Sequence, residues 1–124
     1  MVILTNELVI KKCDICGGMI RVLKDSNFIC CGEKMKSLIP NSVECSVEKH
    51  LPTYERVEDE IYVKVPHVME KEHYIEWIAL VSENKVCMVE LYPEQNAETR
   101  FKYISGSELY AYCNKHGLWK IDVK

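Results

Sequence analysis

The sequence lacks any apolar run approaching the roughly 18 residues that a membrane-spanning helix needs, which excludes a helical membrane anchor. It lacks a basic run as well, and a formal net charge of -3 gives no electrostatic footprint for nucleic acid. No export leader is legible, because Val2–Leu4 and Leu8–Ile10 are short and the lysines follow them. Internal repeats and low-complexity segments are missing too. Histidine is scarce: His50, His67, His73 and His116 are all the chain has. These absences leave a globular protein, expected in the cytoplasm, with neither membrane nor nucleic acid as a partner.

Cysteine, by contrast, is abundant, with seven in 124 residues. An odd count without an export signal argues against a disulfide framework, and reduced cysteines at short spacings more often bind metal. Cys13-x-x-Cys16 followed by Cys30-Cys31 places four thiols within a short stretch. Gly17 and Gly18 free backbone N–H groups to point at sulfur. Four thiolates suit tetrahedral zinc or a single iron, and ligand type does not separate the two. Zinc ribbons usually repeat the Cys-x-x-Cys turn. Neighbouring Cys30 and Cys31 cannot form that turn and are expected to distort the tetrahedron.

Residues 1–39 form the first unit, with short strands expected over Glu7–Lys12, Met19–Leu23 and Asn27–Ile29. Its few large apolar side chains cannot offset the ordering entropy without a staple, and the four cysteines are the obvious one. Residues 40–47 read as a linker with turn chemistry at Pro40-Asn41-Ser42. The second unit, residues 40–124, reads as strands. Ile61–Val65 and Tyr74–Val81 alternate, and Val86–Leu91, Arg100–Ile104, Glu108–Tyr112 and Leu118–Val123 are β-branched and aromatic. Turn-forming segments separate them, so the fold class is all-β: a metal-stapled small domain followed by an antiparallel sandwich. A helix over Met69–Leu80 is the rival reading, since Glu70, Lys71 and Glu72 are good helix formers.

A second constellation surrounds Cys113-Asn114-Lys115-His116-Gly117. A Cys-x-x-His turn marked by Asn114 and Gly117 can put thiolate and imidazole on one ion. His67 and His73 are six apart; a strand would separate them by about 20 Å and a helix would point them about 120° apart. They share an ion if residues 66–73 curl as a loop, which Pro66 and the Glu-Lys-Glu run permit. His50 falls in a loop-like stretch before Pro52. A histidine by itself is most often a surface or hydrogen-bonded residue, so spacing alone leaves a shared site open, with zinc the default ion.

Two resemblances sharpen this. Residues 7–38, with Cys-x-x-Cys, Cys-Cys and Gly-Glu-Lys-Met at 32–35, resemble desulforedoxin. That implies a rubredoxin-like iron held by Cys13, Cys16, Cys30 and Cys31, with no open position. Glu48-Lys49-His50-x-Pro52, Pro66-His67-x-Met69-x-x-x-His73-x-Ile75-x-Trp77 and Cys113-Asn114-x-His116-Gly117-x-Trp119 resemble superoxide reductase, the catalytic part of desulfoferrodoxin. Val68 departs from the pattern, where many members carry a second proline.

The resemblance implies an immunoglobulin-like seven-stranded β-sandwich over residues 40–124. It implies a catalytic iron with His50, His67, His73 and His116 equatorial and Cys113 axial. Such a set leaves one position vacant and carries about +1 net charge with Fe(II), unlike four-coordinate zinc sites. The activity implied is one-electron reduction of superoxide to hydrogen peroxide, in which the thiolate pushes electron density toward bound oxygen. Lys49 would steer the anion and help protonation, and Glu48 would ligate the ferric ion. Two iron ions per chain, a rubredoxin-like electron donor and a homodimer are implied likewise. Cys87 is expected in the core and Cys45 as a free thiol in the linker; Trp77 and Trp119 are expected to pack around the site or core.

Overall fold

The computed structural model describes residues 8–42 and 47–124, without the side chains of 47 and 48. The expected free thiol of Cys45 lies outside the described residues. The chain divides into two compact units at residue 40.

The small unit holds β1 (Ile10–Lys12), β2 (Met19–Arg21), β3 (Ile29–Cys30), β4 (Glu33–Lys34) and β5 (Lys36–Ser37). Strand β1 lies between β2 and β5, and β3 pairs with β4, all antiparallel. The three strands expected from sequence are present but shorter. Strands β4 and β5 were not legible, because neither two-residue segment carries an apolar pattern. Leu8, Ile10, Cys13 and Met35 are its buried apolar side chains. Lys11 is buried as well; its amine donates to Asp25 Oδ1 at 2.7 Å and lies 5.3 Å from the centroid of the Phe28 ring. Ile15, Leu23, Ile29 and Ile39 remain exposed. So thin a core is consistent with a unit that depends on a metal staple.

The second unit begins with a single helical turn, α1 (Val47–His50), and continues as β6 (Thr53–Val57), β7 (Glu60–Lys64), β8 (Ile75–Ser82), β9 (Lys85–Glu90), β10 (Glu98–Lys102), β11 (Glu108–Cys113) and β12 (Gly117–Asp122). These seven strands form two antiparallel sheets, β10-β7-β6 and β12-β11-β8-β9. Ile61, Val63 and Phe101 from the first sheet meet Ile78, Leu80, Leu109 and Ala111 from the second in one core. Burial of these apolar side chains is the main term holding the sandwich together. Strand β8 is buried on both faces, which explains its nearly continuous apolar run Ile75-Glu76-Trp77-Ile78-Ala79-Leu80-Val81. The helix alternative over Met69–Leu80 is thereby excluded.

Four expectations need correction. Strand β6 was not recognised, since Thr53-Tyr54-Glu55-Arg56-Val57 is exposed at four of its five positions and shows no alternation. His50 ends a helical turn and does not sit in a loop. Cys87 is exposed and not in the core: it lies on β9, an edge strand, where the sheet no longer has a partner strand to cover it. Finally, the stretch 40–47 expected as a linker does turn at Pro40-Asn41, but Asn41 is bound to β12; residues 43–46 lie outside those described. Asn41 N–H donates to Leu118 O at 2.9 Å, and its side-chain amide pairs with both backbone groups of Lys120. It thus closes the exposed edge of β12, a common way of blunting a free strand.

Candidate metal centres

In the small unit, one sulfur from each of Cys13, Cys16, Cys30 and Cys31 lies within 4.8 Å of the others. Cys16 Sγ and Cys30 Sγ are 3.6 Å apart, and Cys30 Sγ and Cys31 Sγ 3.9 Å apart. A tetrahedron with metal–sulfur bonds of about 2.3 Å has edges of about 3.8 Å. These two edges lie near the tetrahedral value, and the backbone makes room for the adjacent pair. Cys31 adopts φ 54° and Gly32 φ 78°, so adjacent side chains turn toward one point. Gly18 N–H donates to Cys16 Sγ at 3.3 Å. Backbone N–H groups of Cys16 and Ile15 pull the Cys13 thiol down to about 7. The proximity of Cys16 and Cys13 pushes Cys30 up to about 12. Four thiols of which one ionises readily and its neighbour resists are a set that a cation completes.

The second set converges at one end of the sandwich. His50, His67, His73, Cys113 and His116 offer donor atoms within 4.8 Å of one another. His50 comes from α1, His67 and His73 from the loop between β7 and β8, and Cys113 and His116 from the β11–β12 hairpin. Local chemistry explains each placement. Pro66 and the Glu70–His73 bridge curl the 66–73 loop, as the spacing required. Cys113 pairs with Gly117 across the hairpin, and Gly117 takes φ 83°, a left-handed conformation that glycine adopts without strain.

The geometry is that of a square with a sulfur beneath. Imidazole centroids are 4.7 Å apart for His50–His67, 4.6 Å for His67–His73, 5.0 Å for His73–His116 and 4.8 Å for His116–His50, all edge-on. These four contacts close a ring, so His50 lies across from His73 and His67 across from His116. His116 Nδ1 is 3.1 Å from His50 Nε2 and 3.3 Å from His73 Nε2. Adjacent nitrogens of a square around an ion would be about 3.0 Å apart at metal–nitrogen bonds of about 2.1 Å. Cys113 Sγ lies 3.4 Å from His67 Nε2 and 3.7 Å from His116 Nδ1.

The tautomers suit ligation. His67 Nδ1–H donates to Val68 O at 2.6 Å, which leaves Nε2 a bare lone pair facing the cluster. Burial lowers the pKa of His67 and of His73, so both stay neutral donors. Trp119 stacks on His50, with ring centroids 5.1 Å apart, and its indole N–H donates to His116 O at 3.2 Å. Trp77 stacks on Tyr112. Trp119 thus packs at the donor set, and Trp77 is buried beside Tyr112 of the neighbouring strand.

Cys113 is fully buried, and Trp119 and His50 are nearly so. A cavity of about 530 Å³ opens on the other side, lined by Lys49, His50, His67, Val68, Glu70, His73 and His116. All four imidazoles reach it and Cys113 does not. The set therefore has a closed sulfur side and an accessible side opposite. Glu70 at this mouth was not anticipated from sequence; nothing distinguished it from the neighbouring Lys71 and Glu72. Glu48 lies in α1, its side chain outside the described ones.

Both donor sets fit mononuclear iron. The first is all-thiolate and closed; the second has five donors of mixed N and S and one open face. Together with the seven-stranded sandwich they define a two-centre, non-haem metalloprotein with a reactive site at one end of a β-sandwich. A desulfoferrodoxin family model matches residues 42–122. The chain is 38% identical to desulfoferrodoxin of Syntrophotalea carbinolica over 94% of its length and 97% of the relative. It is 35% identical to a desulfoferrodoxin homolog of Archaeoglobus fulgidus, over 94% and 98% respectively. The superoxide reductase of Treponema pallidum superposes with a TM-score of 0.72 at 28% identity, covering 93% of this chain and 98% of that one. The chain belongs to the desulfoferrodoxin family.

Proposed function

We infer that the protein is a superoxide reductase, converting superoxide, one electron and two protons into hydrogen peroxide. The observation that carries this reading is the two-sidedness of the five-donor set: thiolate buried beneath, four imidazoles open to a cavity above. His50, His67, His73, His116 and Cys113 would hold an iron, and that iron would supply one-electron chemistry to a small anion reaching the open side. The residues do the rest. Imidazole ligands bring no charge of their own, and one thiolate would leave a ferrous site near +1. Cys113, on the side away from the open face, would lend a bound iron electron density as a thiolate ligand. Trp119 holds the His50 ring and the His116 backbone in place.

Lys49 lines the mouth and is exposed, suited to attract the anion and to lend a proton to its product. Glu48, beside it in sequence, is the candidate sixth ligand once the site is oxidised. Cys13, Cys16, Cys30 and Cys31 hold the second iron in residues 1–39, and residues 40–124 carry the catalysis. The closed all-thiolate site binds no substrate; it relays electrons or staples its unit. Re-reduction by a rubredoxin-like donor completes the cycle, and the role is superoxide detoxification in the cytoplasm. The exposed Ile15, Leu23, Ile29 and Ile39 favour a homodimer through the small unit. No helix among the described residues is long and apolar enough to cross a membrane.

Metal analysis of purified protein with pulse radiolysis of its reduced form tests the reading. Two irons per chain and a fast second-order reaction with superoxide are expected. Zinc in the five-donor site, or a reduced iron protein inert to superoxide, would overturn it.

A further inference from the structure

We propose that Asn114 is a positioning residue that sets the His73 imidazole against the Cys113 thiolate. This rests on the reading of the five-donor set as an iron site. Asn114 sits between Cys113 and His116, and its side-chain amide makes two hydrogen bonds across to the His73 segment. Oδ1 accepts from Tyr74 N–H at 3.1 Å, and Nδ2 donates to Glu72 O at 3.0 Å. Its own N–H donates to Tyr74 O at 3.3 Å. The residues on either side of His73 are thus tied to the residue that follows Cys113.

The reason such a clamp is needed lies in the strands below. The β11–β8 ladder runs in register from Glu108↔Val81 to Tyr112↔Trp77, then shifts so that Cys113 faces Ile75. The shift falls at Glu76, whose carbonyl accepts from Leu91 N–H at 2.8 Å on the β9 side, in step with the β8–β9 ladder. Beyond a bulge the bulged strand bends, and backbone pairing no longer dictates where the next residues go. Asn114 restores the ladder where the strands have ended. Its amide, carrying one donor and one acceptor, substitutes for a peptide group and continues the pairing for two more residues. Without the Asn114 side chain, the His73 segment keeps only one backbone bond to the hairpin, Asn114 N–H to Tyr74 O, beside the Glu70–His73 bridge within its own loop. The 3.3 Å separation of His73 Nε2 from His116 Nδ1 would then depend on loop conformation rather than on the sheet.

Asn41 provides the control. Its side-chain amide makes the same kind of two-point contact with the backbone of Lys120, at the β12 edge, but flanks no donor residue. The experiment compares N114A, N114D and N41A as iron-loaded proteins. It reads iron affinity by competition with a chelator and the ferric thiolate absorption band. N114A is expected to weaken iron at the five-donor site about 10- to 100-fold, the range for loss of an outer partner. It should also shift the band, while the four-cysteine iron is unchanged. N114D keeps the acceptor for Tyr74 N–H and loses the donor to Glu72 O, so it should fall between wild type and N114A; it stands in should N114A fail to fold. N41A should lower the unfolding midpoint and leave both iron readouts as in wild type. A wild-type band and affinity in N114A, or in N114D if that is the folded variant, would sink the proposal, as would an equal shift in N41A. Failure of the wild-type protein to hold iron in this set would instead overturn the functional reading beneath it.

Discussion

Replacing Lys49 by alanine removes one positive charge from the wall of the 530 Å³ cavity. A sphere of that volume has a radius of about 5 Å, so the ammonium stands some 5–10 Å from an anion inside. At about 7 Å and the dielectric constant of water, the lost attraction is about 0.6 kcal/mol, or nearly threefold in an encounter-limited rate. Screening at physiological ionic strength, with a Debye length of about 8 Å, cuts this to about 1.5-fold. At about 1 M salt, where the Debye length is about 3 Å, the two proteins should react equally fast. Lys49→Glu doubles the change in charge and should slow the low-salt reaction about sevenfold, whereas Lys49→Arg should preserve it. Pulse radiolysis of the reduced proteins across a salt series measures all of this directly. Identical rates and identical salt slopes for wild type, Lys49→Ala and Lys49→Glu would refute the steering argument.

Glu48→Ala should shift the ferric absorption band while leaving the first reaction with superoxide fast; an unaltered ferric spectrum would rule out ligation by Glu48. Cys13→Ser should lose one iron per chain, by metal analysis, and retain most superoxide reactivity, because His50, His67, His73, Cys113 and His116 share no donor with the four-cysteine set. Ile78→Ala, at a fully buried position facing the sandwich core, should cost about 2–5 kcal/mol in urea unfolding. The Glu108 carboxylate raises the pKa of Lys120, so the pair's contribution is fully present below the unfolded lysine value of about 10.4 and lost as pH rises through the folded one. The stability gap between wild type and Lys120→Met should accordingly close above that pH, as followed by urea midpoints.

Much of this molecule was legible in its sequence because its chemistry is concentrated in rare residue types. Four histidines and closely spaced cysteines leave few ways to build a metal site, and a six-residue gap between His67 and His73 forces a loop whatever the ion. Strands β8 and β11 announced themselves through dense apolar runs, since both of their faces are largely buried. Strand β6 did not, because an edge strand with one wet face needs no such pattern. Cys87 misled for a related reason: its neighbours Val86, Met88 and Val89 are apolar, yet β9 stands at the margin of its sheet, so composition suggested burial that topology does not provide. The twist at Cys30-Cys31 was also beyond reach. A left-handed cysteine followed by a left-handed glycine is a backbone solution that residue identity does not advertise. Asn114 and Asn41 were visible as turn residues, but their work is done by side-chain amides paired with strands distant in sequence.

The two donor sets differ in how far apart their members lie along the chain, and this bears on the order of assembly. Cys16 and Cys30 are 14 residues apart, whereas His50 and His116 are 66 apart. Loop closure alone makes the longer contact costlier by about 1.4 kcal/mol. The larger difference is that the histidines converge only after α1, the 66–73 loop and the last hairpin have been brought to one end of the sandwich. The cysteine set, complete by residue 31, can capture its ion while the ribosome is still extending the chain. The histidine set meets its ion last, with a finished protein as the mould. One chain thus loads two metals by opposite routes, folding around the first and receiving the second, so metal starvation during synthesis and metal loss afterwards should leave different apoproteins.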